Sequence, residues 1–220
     1  MKTMIIAPHP DDEVLGAGGT LLRRKAEGEK VAWVVVTAIS VHTGWDEQRV
    51  KQRSEEIRKV SELFGFSDVF ELGFQTTQLD RVPLSELVAG ISQAFQSFKP
   101  EEVFVPHPSD VHTDHPVVFN AVASCTKWFR HPSIKRVLAY ETLSETDFGL
   151  NNALGFRPNV FMDISPFLKD KLRAMEIYAS ELGDFPFPRS REAITALATL
   201  RGAASGFEAA EAFELLRERS

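Results

Sequence analysis

Apolar and polar positions alternate along the chain in two patterns, one typical of buried strands and the other of amphipathic helices. Short continuous runs rich in Ile and Val predict strands, whereas apolar stripes at spacings of three and four predict helices. In the first half of the chain these patterns predict strands at 3–7, 31–37, 68–73 and 102–105 and helices at 14–27, 47–64 and 84–98. This alternation predicts βαβ units with right-handed crossovers and a mostly parallel sheet.

The second half of the chain has the same kinds of segment in a less regular order. The patterns predict strands at 135–142 and 159–164 and helices at 117–129, 165–182, 191–203 and 207–217. For the last segment, which is rich in Ala, Glu and Leu, a final edge strand is the alternative. The whole pattern predicts an α/β fold with a Rossmann-like, mostly parallel sheet that is flanked by helices.

Length and charge narrow the class of protein. A chain of 220 residues fits one substantial core, and we expect a single domain over residues 1–220. The chain carries 25 basic and 31 acidic residues, and its net charge of −6 gives no electrostatic footprint for nucleic acid or an anionic membrane. A small-molecule substrate fits this charge better.

Cysteine content and hydropathy bear on the compartment. The single cysteine, Cys125, excludes an intrachain disulfide, and it lies with Trp128 and Phe129 on the predicted buried face of helix 117–129. No apolar run approaches the ~20 residues that span a bilayer. The apolar run at 4–7 is too short for a signal peptide. We therefore expect a cytoplasmic protein without a membrane span.

The segment PHPDDE at residues 8–13, directly after the first predicted strand, has the chemistry of half a metal site. A hydrolytic site needs an imidazole and a carboxylate as ligands, and a second carboxylate nearby that handles protons without being bound. His9 and Asp12 can supply the ligands, which leaves Asp11 free. Because hydrolytic zinc sites usually have three protein ligands and an open position for water, a third ligand must come from elsewhere.

A second segment, HPSDVHTDH at residues 107–115, follows the predicted strand at 102–105. Four of the six histidines of the chain lie in these two segments. Parallel α/β sheets bind ligands beyond the carboxyl ends of their strands, and both segments begin at such ends. We expect the two segments to meet at one edge of the sheet. On the residues alone, either His112 or His115 can complete the site.

Each of these residues also has a structural interpretation. Asp11 or Asp12 can cap the helix that begins near Val14, because carboxylates are favoured at helix N-termini. A lone His112 or His115 is more often a hydrogen-bonded histidine than a ligand. The coincidence of two His/Asp segments at one predicted sheet edge favours the metal site.

PHPDDE followed by a Gly-rich helix start, with D-x-H-x-D-H at 110–115, resembles the PIG-L/LmbE-like family of zinc-dependent N-acetylglucosaminyl deacetylases. The resemblance covers most of the chain through Arg53-x-x-Glu56, Asp80 and a C-terminal Glu-Ala-Ile…Arg-Gly segment, although only the two central motifs are specific. It implies hydrolysis of the acetamido group of an N-acetylglucosamine-like substrate or its conjugate. It also implies one Zn²⁺ per chain, replaceable by other divalent ions. Family members often form multimers, so a homo-oligomer is one expectation.

The resemblance also implies roles for individual residues. The implied metal ligands are His9, Asp12 and His115. We expect Asp11 to act as the general base toward a metal-activated water. We expect His112, protonated and oriented by Asp114, to stabilise the oxyanion.

Arg53 interrupts the apolar stripe of helix 47–64, and an inward Arg must reach solvent or find an anion or carbonyl. Glu56 or a helix end can satisfy it, whereas the resemblance implies that it holds substrate. Asp80 is a solvated turn residue by default and a substrate-hydroxyl acceptor by resemblance. Next to Arg53 we expect solvated charge partners at Glu55, Glu56, Arg58 and Lys59.

Two predicted loops carry aromatic residues whose roles the sequence leaves open. Trp45, in the loop at 38–46, either packs against its own protein or stacks on a sugar face. The segment at 183–189 contains DFPFP and is expected to be rigid. It can serve as a lid or as an oligomer contact.

Three other functions compete with deacetylation: an amidase that cleaves a larger acyl group from an amino sugar conjugate, a non-catalytic metal- or sugar-binding protein and, by fold alone, a dehydrogenase. A pure binding protein has no need for a free Asp11 carboxylate. Gly16, Gly18 and Gly19 lack the G-x-G-x-x-G spacing of a dinucleotide site. We expect these small residues to let the first helix pack close to the sheet.

Overall fold

The computed structural model describes residues 1–150 and 155–220. Its strands are β1 (Lys2–Ala7), β2 (Lys30–Ala38), β3 (Asp68–Gln75), β4 (Glu102–Pro106), β5 (Arg136–Tyr140), β6 (Val160–Asp163) and β7 (Ala210–Glu218). Its helices are α1 (Asp12–Ala26), α2 (Glu47–Phe64), α3 (Leu84–Phe98), α4 (Asp114–Cys125), α5 (Leu168–Ile177) and α6 (Arg191–Ser205). Short 3₁₀ turns occur at Val41–Thr43, Leu79–Arg81, Ser165–Phe167 and Ala179–Glu181.

These strands form one sheet in the order β3-β2-β1-β4-β5-β7-β6. β1 pairs in parallel with β2 and β4, and parallel pairing continues from β2 to β3 and from β4 to β5. Strand β7 runs antiparallel to both of its neighbours, β5 and β6. The predicted α/β fold with a mostly parallel sheet is therefore confirmed.

The core lies on both faces of the sheet. Along β1, Met4 and Ile6 belong to one apolar cluster while Ile5 and Ala7 belong to the other, and all four side chains are fully buried. A strand that is covered on both faces exposes neither face to solvent, which explains the continuous apolar runs in the sequence.

Small residues bring α1 close to the sheet, as predicted. A Cβ atom at Gly16 would come within 2.2 Å of the Tyr140 ring, and one at Gly19 within 2.6 Å of the Ile164 side chain. The helix is also broken at Ala17, whose φ of −143° and ψ of 15° are not helical. The N-terminal part of α1, which contains the last two residues of the PHPDDE segment, is thus a separate short turn.

A buried ion pair satisfies the backbone groups near this break. The Glu211 carboxylate accepts hydrogen bonds from the backbone N–H groups of Gly19 (2.8 Å) and Thr20 (2.7 Å). Lys171 Nζ donates to Glu211 (2.6 Å) and to the carbonyl of Leu15 (2.9 Å). Because buried backbone groups must find partners, this pair stabilises the broken helix beside the candidate site.

Two predicted elements differ in kind or extent, and the predicted helix at 165–182 is divided into α5 and the 3₁₀ turns on either side of it. Most of residues 207–217 belong to strand β7 instead of a helix, and β7 lies between β5 and β6 instead of at the sheet edge. Pairing on both sides outweighs the helical preference of its Ala, Glu and Leu residues. Helix α4 ends at Cys125, which is buried, whereas Trp128 and Phe129 lie beyond its end and are 65% and 63% exposed.

Strands β1 and β4 are neighbours and end side by side. In their parallel register Thr3 pairs with Glu102 and Ile5 with Phe104. The segments that follow them, here called the first turn (residues 8–13) and the second turn (residues 107–115), therefore meet at the carboxyl edge, as predicted. None of the helices in the described parts of the chain is long and apolar enough to cross a membrane.

Candidate active site

The first turn connects β1 to α1 through a strained residue. Asp11 has a φ of 142°, a conformation that non-glycine residues rarely adopt and that costs about 1–3 kcal/mol. Glu13 accepts a hydrogen bond from the Asp11 N–H (3.0 Å), and Tyr178 donates its hydroxyl hydrogen to Glu13 (2.8 Å). The Asp11 side chain makes no capping hydrogen bond to α1. The structure thus gives no support to the capping interpretation of Asp11.

Three histidines from the two turns converge. His9, His112 and His115 each offer a ring nitrogen, and these three atoms lie within 4.8 Å of one another. Asp12 Oδ2 lies 3.4 Å from His9 Nδ1 and 3.4 Å from His115 Nε2. The structure therefore brings together the predicted ligands His9, Asp12 and His115, with His112 beside them.

Two further carboxylates contact the outer nitrogens of this cluster. Asp114 Oδ2 lies 3.0 Å from His9 Nε2, and Asp110 Oδ2 lies 2.8 Å from His115 Nδ1. Such contacts fix the orientation of imidazole rings and raise their basicity. Asp110 belongs to the motif at 110–115, but its role could not be predicted from the sequence alone.

The Asp114 carboxylate does not contact the His112 ring, in contrast to the prediction. It accepts hydrogen bonds from the backbone N–H groups of Thr77 (2.8 Å) and Leu79 (3.2 Å) in addition to its contact with His9. Instead, the backbone N–H of Asp114 donates to His112 Nδ1 (3.1 Å). An Nδ1 atom that accepts a hydrogen bond carries no proton, so this geometry favours a neutral His112 with its hydrogen on Nε2.

The two neighbouring carboxylates of the first turn have opposite pKa shifts. Burial, followed by the charge of Asp12, raises the pKa of Asp11 to about 7, although Arg189 opposes this shift. Burial would also raise the pKa of Asp12, but His115 and His9 lower it well below its ordinary value. Neighbouring carboxyl groups with separated pKa values divide naturally into a proton acceptor and a permanently charged group.

The histidine pKa values depend on the same contacts. Burial lowers the pKa of His9, but hydrogen bonds to Asp114 and Asp12 raise it to about 9. Likewise Asp12 and Asp110 outweigh burial and raise the pKa of His115 to about 10. Burial and the charges of His9 and His115 lower the pKa of His112 to about 4.

The donor set fits a divalent cation. His115 Nε2 is buried and finds no hydrogen-bond partner within the described residues, although it faces Asp12. A buried nitrogen of this kind needs a partner, and a cation beside Asp12 and His9 would provide one. Because ligating imidazoles must be neutral, the cation would take the place of the ring protons.

A pocket of about 240 Å³ opens over this cluster. The histidines, Asp11 and Asp12 line one part of it, and a second part is lined by Trp45, Arg53, Glu145, Glu181 and Arg189. Trp45 is 42% exposed. An exposed aromatic side chain next to charged groups is typical of a pocket wall that remains available to a ligand.

Arg53 lines this pocket and is also held by the protein. Its Nη1 donates to the Pro10 carbonyl (2.8 Å), its Nη2 pairs with Glu181, and its Nε lies 3.3 Å from Glu56. These contacts agree with the structural interpretation of this inward Arg, and its role in holding substrate stays a prediction. The expectation that Glu56 is solvated is wrong, because Glu56 is buried, whereas Glu55 is exposed and pairs with Arg58 as expected.

Asp80 and His107 lie away from the pocket wall. Asp80 is exposed on the 3₁₀ turn Leu79–Arg81, and it is not among the residues that line the pocket. Its role in substrate binding stays a prediction. His107 is buried, with its Nε2 3.6 Å from Glu214, and likewise does not line the pocket.

Arg189 and Glu181, which also line the pocket, were not predicted from the sequence. Arg189 donates to Asp11 Oδ2 (3.0 Å), and Glu181 is contacted by Arg49, Arg53 and Arg189. Both come from the segment between α5 and α6, far from either motif along the chain. The only local signal was the Pro- and Phe-rich loop at 183–189, which ends at Arg189.

Comparison with known protein families shows which family the chain belongs to. The family described as PIG-L: GlcNAc-PI de-N-acetylase matches residues 4–126, more than half of the chain, and both turns lie in this range. The chain belongs to the PIG-L family. This membership confirms the resemblance that the two motifs predicted.

Individual proteins of known sequence or structure are similar to this chain. A diacetylchitobiose deacetylase from Thermococcus kodakarensis is 26% identical, over 96% of this chain and 81% of that protein. A conserved protein from Thermus thermophilus has a similar structure, with a TM-score of 0.77, 26% identity and coverage of 99% and 96% of the two chains. The N,N'-diacetylchitobiose deacetylase from Pyrococcus horikoshii shares the fold, with a TM-score of 0.76, 22% identity and coverage of 98% and 84%.

Proposed function

We propose that this member of the PIG-L family is a zinc-dependent deacetylase that removes the acetyl group from an N-acetylglucosamine-like amino sugar or its conjugate. One observation carries the proposal: the Asp11 carboxylate, whose hydrogen-bond partner among the described residues is Arg189, lines the same pocket as a group of His and Asp side chains that can hold a cation. The relatives described above, two of which are named for removing acetyl groups from diacetylchitobiose, support the substrate class.

The ligands in this proposal are His9, Asp12 and His115, with Asp114 and Asp110 holding the outer nitrogens of the two imidazoles. A bound divalent cation would polarise the acetamide carbonyl and lower the pKa of a water ligand. Zinc is our choice because two imidazoles and a carboxylate are a common hydrolytic zinc set. Other divalent ions can also occupy such an N/O site.

Asp11 is the general base in the proposed reaction. Arg189 occupies its Oδ2, whereas its Oδ1 accepts no hydrogen bond from the described residues. Oδ1 is thus the oxygen that takes the proton from the attacking water. The same oxygen then returns the proton to the departing amine, without which the C–N bond does not break because an amide anion is a very poor leaving group.

His112 stabilises the oxyanion that forms on the acetyl carbonyl. Its Nδ1 accepts from the backbone N–H of Asp114, so its Nε2 carries the hydrogen that it donates. We propose a neutral imidazole in this role, instead of the protonated ring that the sequence suggested. Hydrogen-bond donors fixed in position before the reaction are effective in stabilising charge in the transition state.

The pocket favours a sugar of limited size. Its volume of about 240 Å³ lies slightly below the range of roughly 300–1,000 Å³ that holds drug-sized ligands. We propose that one amino sugar ring enters, with Trp45 against a sugar face and Arg53 on a hydroxyl group. Asp80 would reach the substrate only where the remainder of a conjugate extends toward the turn Leu79–Arg81.

Acetate release from a set of N-acetylglucosamine derivatives tests the proposal, with metal analysis of the same preparation. We expect acetate and free amine in equal amounts, loss of activity with a chelator and recovery with Zn²⁺. Matched derivatives with longer acyl groups identify the amidase alternative, which predicts faster release of the larger acid. A preparation that binds zinc and sugar without releasing any acid would overturn the proposal in favour of a binding protein.

A further inference from the structure

The strained first turn is held by two arginines from distant parts of the chain. Arg53 donates to the Pro10 carbonyl, and Arg189 donates to the carboxylate of Asp11. Both guanidinium groups also contact the Glu181 carboxylate. These contacts join α2, the 3₁₀ turn Ala179–Glu181 and the end of the loop at 183–189 to the residue that we assign as general base.

Arg189 is built into this arrangement. Its side chain is 24% exposed, its Nε is buried without a hydrogen-bond partner in the described residues, and its guanidinium carbon lies 5.8 Å from the centre of the Phe187 ring. Asp11, its partner, is only 5% exposed. Buried charges are retained where they are paired, and the adjacent negative charge of Asp12 increases the need of Asp11 for a cationic partner. Arg189 therefore compensates a charge that the first turn cannot compensate by itself.

We propose that Arg189 is a positioning residue, which fixes Asp11 Oδ2 so that Oδ1 of the same carboxylate points to the reacting water. This role rests on the proposed function, because it acts through the general base. A single ion pair to one oxygen determines the rotation of a carboxylate that has no other side-chain hydrogen bond or ion pair in the described residues. Glu181 links Arg189 to Arg53, so the base and the pocket wall are held by one network of charges.

The first test compares kcat and KM of the full-length, zinc-loaded protein with those of Arg189→Ala and Arg189→Lys. We expect Arg189→Ala to lower kcat by about 10 to 10²-fold with little change in KM, since misplacing a catalytic group by ~1 Å can cost 10²-fold. Arg189→Lys should recover part of the loss. Metal content should not change, because Arg189 contacts none of the proposed ligands.

Chemical rescue separates positioning from a general structural effect. Guanidinium ion, at concentrations that do not unfold the protein, should restore activity to Arg189→Ala, whereas sodium chloride at equal ionic strength should not. Arg191→Ala is the matched control, because Arg191 lies two residues further along and forms an exposed pair with Glu176. It should retain wild-type kcat and KM and show no response to guanidinium.

A double-mutant cycle tests the ion pair without using activity. Arg189→Ala should lower the melting temperature by more than about 2 °C in the wild-type background and by less in Asp11→Asn, because the pair is already broken there. Equal shifts in both backgrounds would show that the pair does not form in solution.

In the kinetic test, a rise in KM of Arg189→Ala without a fall in kcat would assign Arg189 to substrate binding instead.

The proposed function and this role fail in different ways. If the wild-type protein releases no acetate from any derivative, the proposed function is wrong and the positioning role falls with it. If the wild-type protein is active and Arg189→Ala keeps its kcat, only the positioning role is wrong.

Discussion

The first turn and the second turn lie side by side at the carboxyl edge of the sheet, yet the protein holds them in different ways. In the first turn, Arg53 and Arg189 arrive from elements far along the chain and contact Pro10 and Asp11. In the second turn the support comes from carboxylates and backbone groups: Asp110 contacts His115 five residues further along, and Asp114 accepts hydrogen bonds from the backbone N–H groups of Thr77 and Leu79.

This difference separates two tasks. The second turn presents the proposed ligand His115 and the proposed oxyanion donor His112 in fixed orientations, for which carboxylates and backbone groups suffice. The first turn must hold a strained backbone and two adjacent carboxylates, the proposed metal ligand Asp12 and the proposed general base Asp11. Arginines from other elements balance the charge of that arrangement, so the first turn depends on long-range ion pairs where the second turn depends on hydrogen bonds.

The largest effect should come from removing a ligand of the second turn. His115→Ala should abolish metal retention, a loss greater than the roughly 10–100-fold that removal of an outer partner costs. His112→Ala should largely keep the metal and lose activity. Metal content after gel filtration is measured for both variants, and activity is measured for His112→Ala. His42→Ala is the control, because His42 is exposed in the loop after β2. Metal retained by His115→Ala and lost from His112→Ala would reverse the two assignments.

The next effect should come from the free carboxylate of the first turn. Asp11→Asn should keep zinc and fold but lose activity by about 10² to 10⁴-fold, the usual contribution of a general base. Steady-state kinetics and metal analysis on one preparation measure this, with Glu62→Gln as an exposed carboxylate control on α2. Near-full activity with zinc bound would remove Asp11 from the mechanism.

The same comparison shows what the sequence can predict. His9, Asp12 and His115 could be predicted because each lies in a short motif directly after an apolar run, and neighbouring parallel strands bring such motifs together. The contact between Arg189 and Asp11 could not be predicted, since 178 residues separate the two along the chain. No local pattern encodes a contact that depends on where a loop between two helices comes to lie.

The fold, like the site, could be predicted from the sequence only in part. Both ends of α2 and of α3 follow from their apolar stripes, because each helix buries one face in the core. Strand β7 was predicted as a helix because its local preference is helical, and only its position between β5 and β6 makes it a strand. Glu211 is buried in that strand and paired with Lys171, and its role in holding backbone groups becomes visible only with the break in α1.

Changing the outer carboxylates sharpens the comparison between the turns. Asp110→Asn and Asp114→Asn should each weaken metal binding by about 10–100-fold, because each carboxylate orients one ligating imidazole. Asp114→Asn should also lower the melting temperature more, since Asp114 additionally holds the backbone of Thr77 and Leu79. Competition with a chelator and thermal unfolding measure the two effects. Unchanged metal affinity in both variants would mean that the outer contacts do not orient the ligands.

The smallest effect should come from Arg53, where a contact to the first turn and a contact to substrate compete. Arg53→Ala should raise KM or lower turnover by about tenfold, the change that corresponds to one hydrogen bond to a charged group at ~1.5 kcal/mol. Zinc content should stay the same, because Arg53 contacts none of the proposed ligands. Arg58→Ala, on the exposed face of the same helix, is the matched control. If Arg53→Ala unfolds the chain while Arg58→Ala does not, the contacts of Arg53 with Pro10, Glu56 and Glu181 are its main role, and substrate holding has to be assigned to another residue of the pocket wall.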